Sequence, residues 1–136
     1  MLRKSPKQPK PVNKLRDELD KVFSEWIRRK DADKNGMVKC YTSGKFYHWK
    51  QIQCGHFISR RHMSTRWYEK NCKPQSVSEN IFNQGNAPKF AIKLIEEYGQ
   101  GILEELEIKK NSICKMGRFE YERLINEYKE KIKNLD

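Results

Sequence analysis

The chain has no Cys-x-x-Cys pair, no long apolar run and, between residues 37 and 75, only one acidic side chain, Glu69. Each shortage excludes something. A bilayer-spanning helix needs about 20 consecutive apolar residues, and no stretch supplies them. The N-terminus is basic but has no apolar segment behind it, so no secretory leader is expected and the protein reads as cytoplasmic. There the four cysteines, Cys40, Cys54, Cys72 and Cys114, are thiols or metal ligands rather than disulfides. Apolar residues make up 36% of the 136 positions and charged residues 35%, which allows one small core with extensions.

What is abundant is positive charge, and it is unevenly placed. Residues 1–30 hold ten Lys/Arg against four Asp/Glu, and residues 37–75 hold eight against one. Residues 76–136 are near balance, with ten against eleven. The excess of +11 therefore sits on the N-terminal arm and the middle of the chain. Charge gathered this way favours a polyanion, since each neutralised phosphate releases condensed counterions.

Residues 1–12 are Lys- and Pro-rich and read as a flexible basic arm. A helix is expected over about 13–30, capped by Asn13, with Leu15, Leu19, Val22, Phe23, Trp26 and Ile27 on its buried face. Asp31 to Gly36 imitates the start of a calcium loop. Its twelfth position is Thr42, not the bidentate Glu that calcium requires, so a polar turn is expected. Residues 37–50 alternate, carry aromatics and break at Thr42-Ser43-Gly44, a hairpin pattern. Residues 51–58 read as extended and 59–76 as loop. A short helix starts near Ser78. Helices follow from Asn86-Ala87-Pro88 to Gly99, from Gly101 to Lys110, and from about Arg118 to Leu135. The fold class is α+β, with a core over about 37–86 and C-terminal helices over about 87–135, all in one domain spanning 13–136.

Hydrolysis of a phosphodiester needs a base that is neutral near pH 7, which suits His, and a divalent cation on the phosphate, which suits oxygen ligands. The order hairpin, Gly55-His56, loop, Asn71, loop, Asn80 at a helix start could gather such groups. Arg60, Arg61, Arg66, Lys70 and Lys73 are the candidate phosphate contacts, and a merely solvated loop is the alternative.

The blocks Gln53-Cys54-Gly55-His56-Phe57-Ile58-Ser59-Arg60-Arg61-His62, Thr65 to Asn71, Pro74-Gln75, Asn80 and Gly85-Asn86 closely resemble the NinG/Rap recombination proteins of lambdoid phages. The likeness runs from about Leu15 to the last helix. It implies a ββα-metal core similar to HNH nucleases, Mg²⁺ or Mn²⁺ as cofactor, and cleavage of branched DNA such as Holliday junctions or D-loops. It also implies recombination proteins as partners, and a homodimer would suit a symmetric junction. Carried over by residue, His56 is the general base, Asn71 braces the loop that holds it, and Asn80 is a metal ligand. Many such enzymes place an acid directly before the base. Here Gly55 stands there, and His62 and Glu69 are the candidates for the missing ligand.

The departures matter as much. The family's two zinc knuckles would fall at 40 and 43 and at 76 and 79. This chain has Cys40, Ser43, Ser76 and Glu79, so structural zinc is not expected. Cys54, His56, His62 and Cys72 form an alternative ligand set, with spacing unlike a usual knuckle and at the expense of the base.

Overall fold

The structure is a computed structural model and describes residues 8–136. The first seven residues of the expected basic arm lie outside the described residues.

Helix α1 (Val12–Arg29) forms because Leu15, Leu19, Val22, Phe23 and Ile27 recur at helical spacing and bury one stripe. The cap is Pro11 rather than Asn13, whose Oδ1 instead accepts from the Lys14 amide at 3.0 Å inside the first turn. Proline needs no N–H partner and its fixed φ suits a helix entry. At the far end of the chain, α5 (Arg118–Lys133) buries Tyr121, Ile125 and Tyr128 against α1. Phe23 and Tyr128 meet edge to face, ring centroids 5.1 Å apart. Burying an aromatic and its aliphatic neighbours is worth roughly 1.5–3 kcal/mol per side chain, so this pair is the main apolar support.

After α1, Asp33 folds the calcium-loop imitation into a turn. Its carboxylate accepts from the amides of Asn35 (2.8 Å) and Met37 (2.9 Å). Gly36 sits at φ +78°, and a Cβ there would lie 2.4 Å from the His48 ring. Strands β1 (Met37–Lys39) and β2 (Phe46–His48) then pair antiparallel as the expected hairpin.

A second hairpin follows. Strand β3 (Gln53–His56) pairs antiparallel with β4 (Cys72–Gln75), placing His56 opposite Cys72. The stretch 59–76 is thus not all loop. Its alternation is absent because all four residues of β4 are buried. Pro74 is tolerated because the sheet has only two strands, and its carbonyl accepts from the Tyr41 amide at 2.8 Å. Between the strands run the short helix α2 (Met63–Arg66) and a 3₁₀ turn, Glu69–Asn71.

One turn of π-helix, Ser78–Phe82, follows β4, and residues 84–86 then reverse the chain with positive φ. Helices α3 (Ala87–Tyr98) and α4 (Ile102–Lys110) pack through Phe90, Leu94, Ile102 and Leu106 beside Tyr41, Phe57 and Tyr68. The result is mixed helix and sheet, as the α+β expectation required. Among the described residues no helix is long and apolar enough to cross a membrane.

Candidate active site

The second hairpin, the π-turn and α1 together enclose a cleft of about 370 Å³. It is lined by Asp20, Ser24, Arg28, Gln53, Cys54, His56, Arg60 and Asn80, with Phe23 and Ile52 beneath. His56 and Asn80 therefore share one cavity. His56 ends β3, within the stretch expected to be extended, and that strand belongs to a second hairpin.

The His56 Nε2 donates to the Arg66 carbonyl at 2.9 Å. A carbonyl can only accept, so the neutral ring carries its proton on Nε2 and leaves the Nδ1 lone pair free. Burial pushes the ring's pKa below the usual histidine range, and Arg60 adds to this, against the opposing pull of the Arg66 carbonyl. The imidazole is thus neutral at pH 7, the state a base requires.

Asn71 is fully buried and ties the loop after His56 to the start of β4. Its Oδ1 accepts from the Ile58 amide at 2.8 Å. Its Nδ2 donates to the carbonyls of Ile58 and Thr65, each at 3.1 Å. Asn80 donates from Nδ2 to Gln53 Oε1 at 2.8 Å, which leaves its Oδ1 as the unused ligand atom.

Gly55 is buried because the Gln75 amide lies over it. A Cβ at position 55 would stand 1.9 Å from Gln75 Oε1. No acid can precede His56 on this strand without moving Gln75, which bonds Thr42 Oγ1 (3.0 Å) and the Gly85 carbonyl (2.9 Å).

The carboxylate that does line the cleft is Asp20, on α1, which sequence reasoning missed. It stands next to core residue Leu19 on a helix read as packing alone, and no motif flags it. Arg66 grips it bidentately, with Nε to Oδ1 at 3.0 Å and Nη2 to Oδ2, and Trp67 Nε1 donates to Oδ1 at 2.9 Å.

That contact corrects one expectation about Arg66. It is buried and paired rather than presented to phosphate. Lys73 is likewise buried, its ammonium held by Glu97 (3.1 Å) and the Tyr98 hydroxyl. Lys70 pairs with Glu105 at 3.3 Å. Arg60, at 60% side-chain exposure, lines the cleft with Nη2 4.0 Å from Asp20 Oδ2, and its neighbour Arg61 is exposed. The expected metal ligand Glu69 faces α1 and α5, accepting from Trp26 Nε1 (3.0 Å) and the Tyr128 hydroxyl (3.4 Å) and pairing with Lys131 (3.6 Å). It does not line the cleft, and neither does His62, whose backbone caps α2.

The two knuckle remnants still meet. Cys40 is fully buried, and its sulfur accepts from the amides of Ser76 (3.3 Å) and Ser43 (3.5 Å), with Ser76 Oγ at 3.7 Å. Burial raises the thiol's pKa, but these hydrogen bonds from Ser43 and Ser76 outweigh it and bring it to about 7. Glu79 is turned to Asn83 (2.9 Å) and Asn86 (3.2 Å). One thiol, two hydroxyls and an engaged carboxylate do not match a closed zinc site, which takes four thiolate or imidazole ligands. Hydrogen bonds hold the turns together instead.

On this mixed helix-and-sheet fold, His56 and Asn80 thus share a cleft that exposed Arg60 also lines. The chain belongs to the bacteriophage Lambda NinG protein family, whose model matches residues 1–136. Membership associates it with phage recombination. No curated protein and no solved structure matches the chain.

Proposed function

We propose that the chain is a metal-dependent endonuclease that cuts branched DNA during phage recombination. The observation that carries this reading is the meeting of a neutral, oriented His56 and the free Oδ1 of Asn80 in one cleft beside exposed arginines. The hairpin-then-turn order that delivers them suits the HNH resemblance. The donor set fits a magnesium-type ion, which keeps most of its waters and also takes substrate phosphate oxygens. Asn80 Oδ1 would hold it; Asp20 lines the same cleft, and its oxygens would have to be shared with Arg66 and Trp67 to join. Such an ion supplies charge stabilisation on the phosphate and the leaving oxygen.

The chain's own part follows from the geometry. His56 Nδ1 accepts a proton from water as the oxygen attacks phosphorus, and the P–O bond to the leaving sugar oxygen breaks. The Arg66 carbonyl holds the ring's other nitrogen, so the resulting imidazolium donates a charge-assisted bond as it forms. Asn71 keeps the loop from moving. Arg60 and Arg61 supply the phosphate forks.

One apolar feature bears on substrate form. Directly after Asn80, Ile81 and Phe82 are 54% and 81% exposed. Apolar side chains at a DNA site stack into opened base steps, which a junction offers and a regular duplex does not.

A second reading, binding without cleavage, draws on Asp20. Both oxygens of the cleft's carboxylate are already engaged by Arg66 and Trp67.

The test is a four-way junction and a linear duplex of the same sequence, incubated with protein and Mg²⁺ or Mn²⁺. Expected are preferential binding of the junction, affinity falling steeply with salt, and metal-dependent nicking. Equal affinity with a flat salt response would overturn both readings. Tight, salt-sensitive junction binding without nicking would leave the second.

A further inference from the structure

At the back of the cleft lies a cluster of which the reaction uses only His56. Cys54 and His56 are two apart on β3 and so share a face, while Cys72 stands opposite His56 on β4. Their ligand atoms all lie within 4.8 Å of one another. Cys54 and His56 open to the cleft and Cys72 is fully buried behind them. The expected fourth member, His62, is not among them.

We infer that Cys54, His56 and Cys72 form a binding site for a thiophilic divalent cation of the zinc type, entered from the cleft. Thiolate and imidazole ligands select such ions over magnesium. Tetrahedral zinc sets its thiolates about 3.8 Å apart, given Zn–S bonds of about 2.3 Å, so closure requires a shift of at most about 1 Å. Three protein ligands with an open fourth position is a common arrangement for an exposed zinc.

The outer contacts are in place. A metal-bound histidine usually donates its other ring N–H to a carbonyl, as His56 Nε2 does to Arg66. Nδ1 would then be the nitrogen left to bind the ion, and the Cys72 thiol, which donates to the same carbonyl at 3.6 Å, would give up that bond. On binding, Cys54 and Cys72 each release their thiol proton to solvent, and the two thiolates balance the dication. The site is separate from the knuckle, where Cys40 is the one thiol.

A consequence follows that rests on the nuclease reading. The ion and the attacking water need the same Nδ1 lone pair, so occupancy disables the base. The thiophilic ion then acts as a reversible inhibitor of magnesium-supported cleavage.

Cobalt titration tests the binding. The full chain should take up one Co²⁺ with a thiolate charge-transfer band and intense visible bands of tetrahedral type, both bleached by zinc. Cys54→Ser and Cys72→Ala should lose the band. Affinity should fall by more than the roughly 10–100-fold that follows loss of an outer-shell partner. Cys40→Ser and Cys114→Ser should keep it. Absence of the band in the parent, its survival in Cys54→Ser, or its loss in Cys40→Ser would each overturn the site. Cys54 is only half-buried, so its variant decides the matter even where Cys72→Ala fails to fold. Junction cleavage with and without zinc separates the two claims. A cobalt band in a chain that never cuts DNA leaves the site standing and removes the nuclease. Cutting that saturating zinc leaves unchanged removes the inhibition alone.

Discussion

Replacing Asn71 with Ala tests how the cleft is held. The amide makes three hydrogen bonds within the loop it closes, to the Ile58 amide, the Ile58 carbonyl and the Thr65 carbonyl. Alanine removes the shared partner of all three groups and leaves a small void where the amide stood. The Thr65 carbonyl contact is buried, and leaving such a group unpaired costs about 1–3 kcal/mol. The two Ile58 groups are partly buried and regain some water, at roughly 0.5–1 kcal/mol each. The sum is about 3 kcal/mol, or near 10 °C in Tm for a chain of this length. The Phe57 amide still bonds the Asn71 carbonyl at 2.9 Å, so the loop should loosen rather than detach. Urea unfolding followed by tryptophan fluorescence measures the loss, and His56 ring NMR signals should broaden in the variant. Aspartate is the sharper control. It keeps an acceptor for Ile58 but sets a carboxylate against two carbonyls, so it should destabilise as much as Ala above pH 5 and less once protonated. A loss under about 1 kcal/mol for Ala, or an Asp variant as stable as the parent, would refute the bracing argument.

Three further outcomes are expected. Ser43→Cys, Ser76→Cys and Glu79→Cys combined should rebuild the knuckle around Cys40, bind one zinc by elemental analysis and raise Tm; failure to bind would mean that the turns no longer converge on a metal. Cys40 has a pKa of about 7 in the fold against 9.0 as a free thiol. The unfolded chain therefore holds more protons between pH 7 and 9, and stability should climb across that window by on the order of 2 kcal/mol relative to Cys40→Ser. The same contribution is lost as pH falls through 7, and parallel pH profiles for the two proteins would contradict it. Phe82→Ala should weaken junction binding more than duplex binding while leaving Tm within about 1 °C, since the ring is largely exposed; an equal effect on both DNAs would remove the stacking role.

Much of this molecule is legible in the chain. The helices α1, α3, α4 and α5 and the first hairpin fall where apolar period, Pro and Gly place them, because each buries a single stripe or face. Strand β4 was illegible because Lys73, Pro74 and Gln75 are poor strand residues. They are buried for reasons of partnership: Lys73 finds Glu97 and Tyr98, and Gln75 covers Gly55. The π-turn holding Asn80 was legible as a helix start but not in its length, since the turn through Gln84, Gly85 and Asn86 stops it. His56, Asn71 and Asn80 stood out through spacing and resemblance. Asp20 and its partner Arg66 could not, because they are 46 residues apart and only the packing of α1 on the second hairpin joins them. Charge alone also misassigned Arg66 and Lys73, which serve the acids Asp20 and Glu97 instead of a phosphate.

The central claim is that a neutral His56 removes a proton from water in this cleft. The direct measurement is the single-turnover rate of junction cleavage with Mg²⁺ from pH 5 to 8, for the parent and for His56→Ala. Because burial lowers the pKa of His56, the parent's rate should fall only below pH 6.5, and the variant should lose about 100-fold or more together with that acid limb. Cleavage by His56→Ala at the parental rate, or a parental acid limb above pH 6.5, would contradict it.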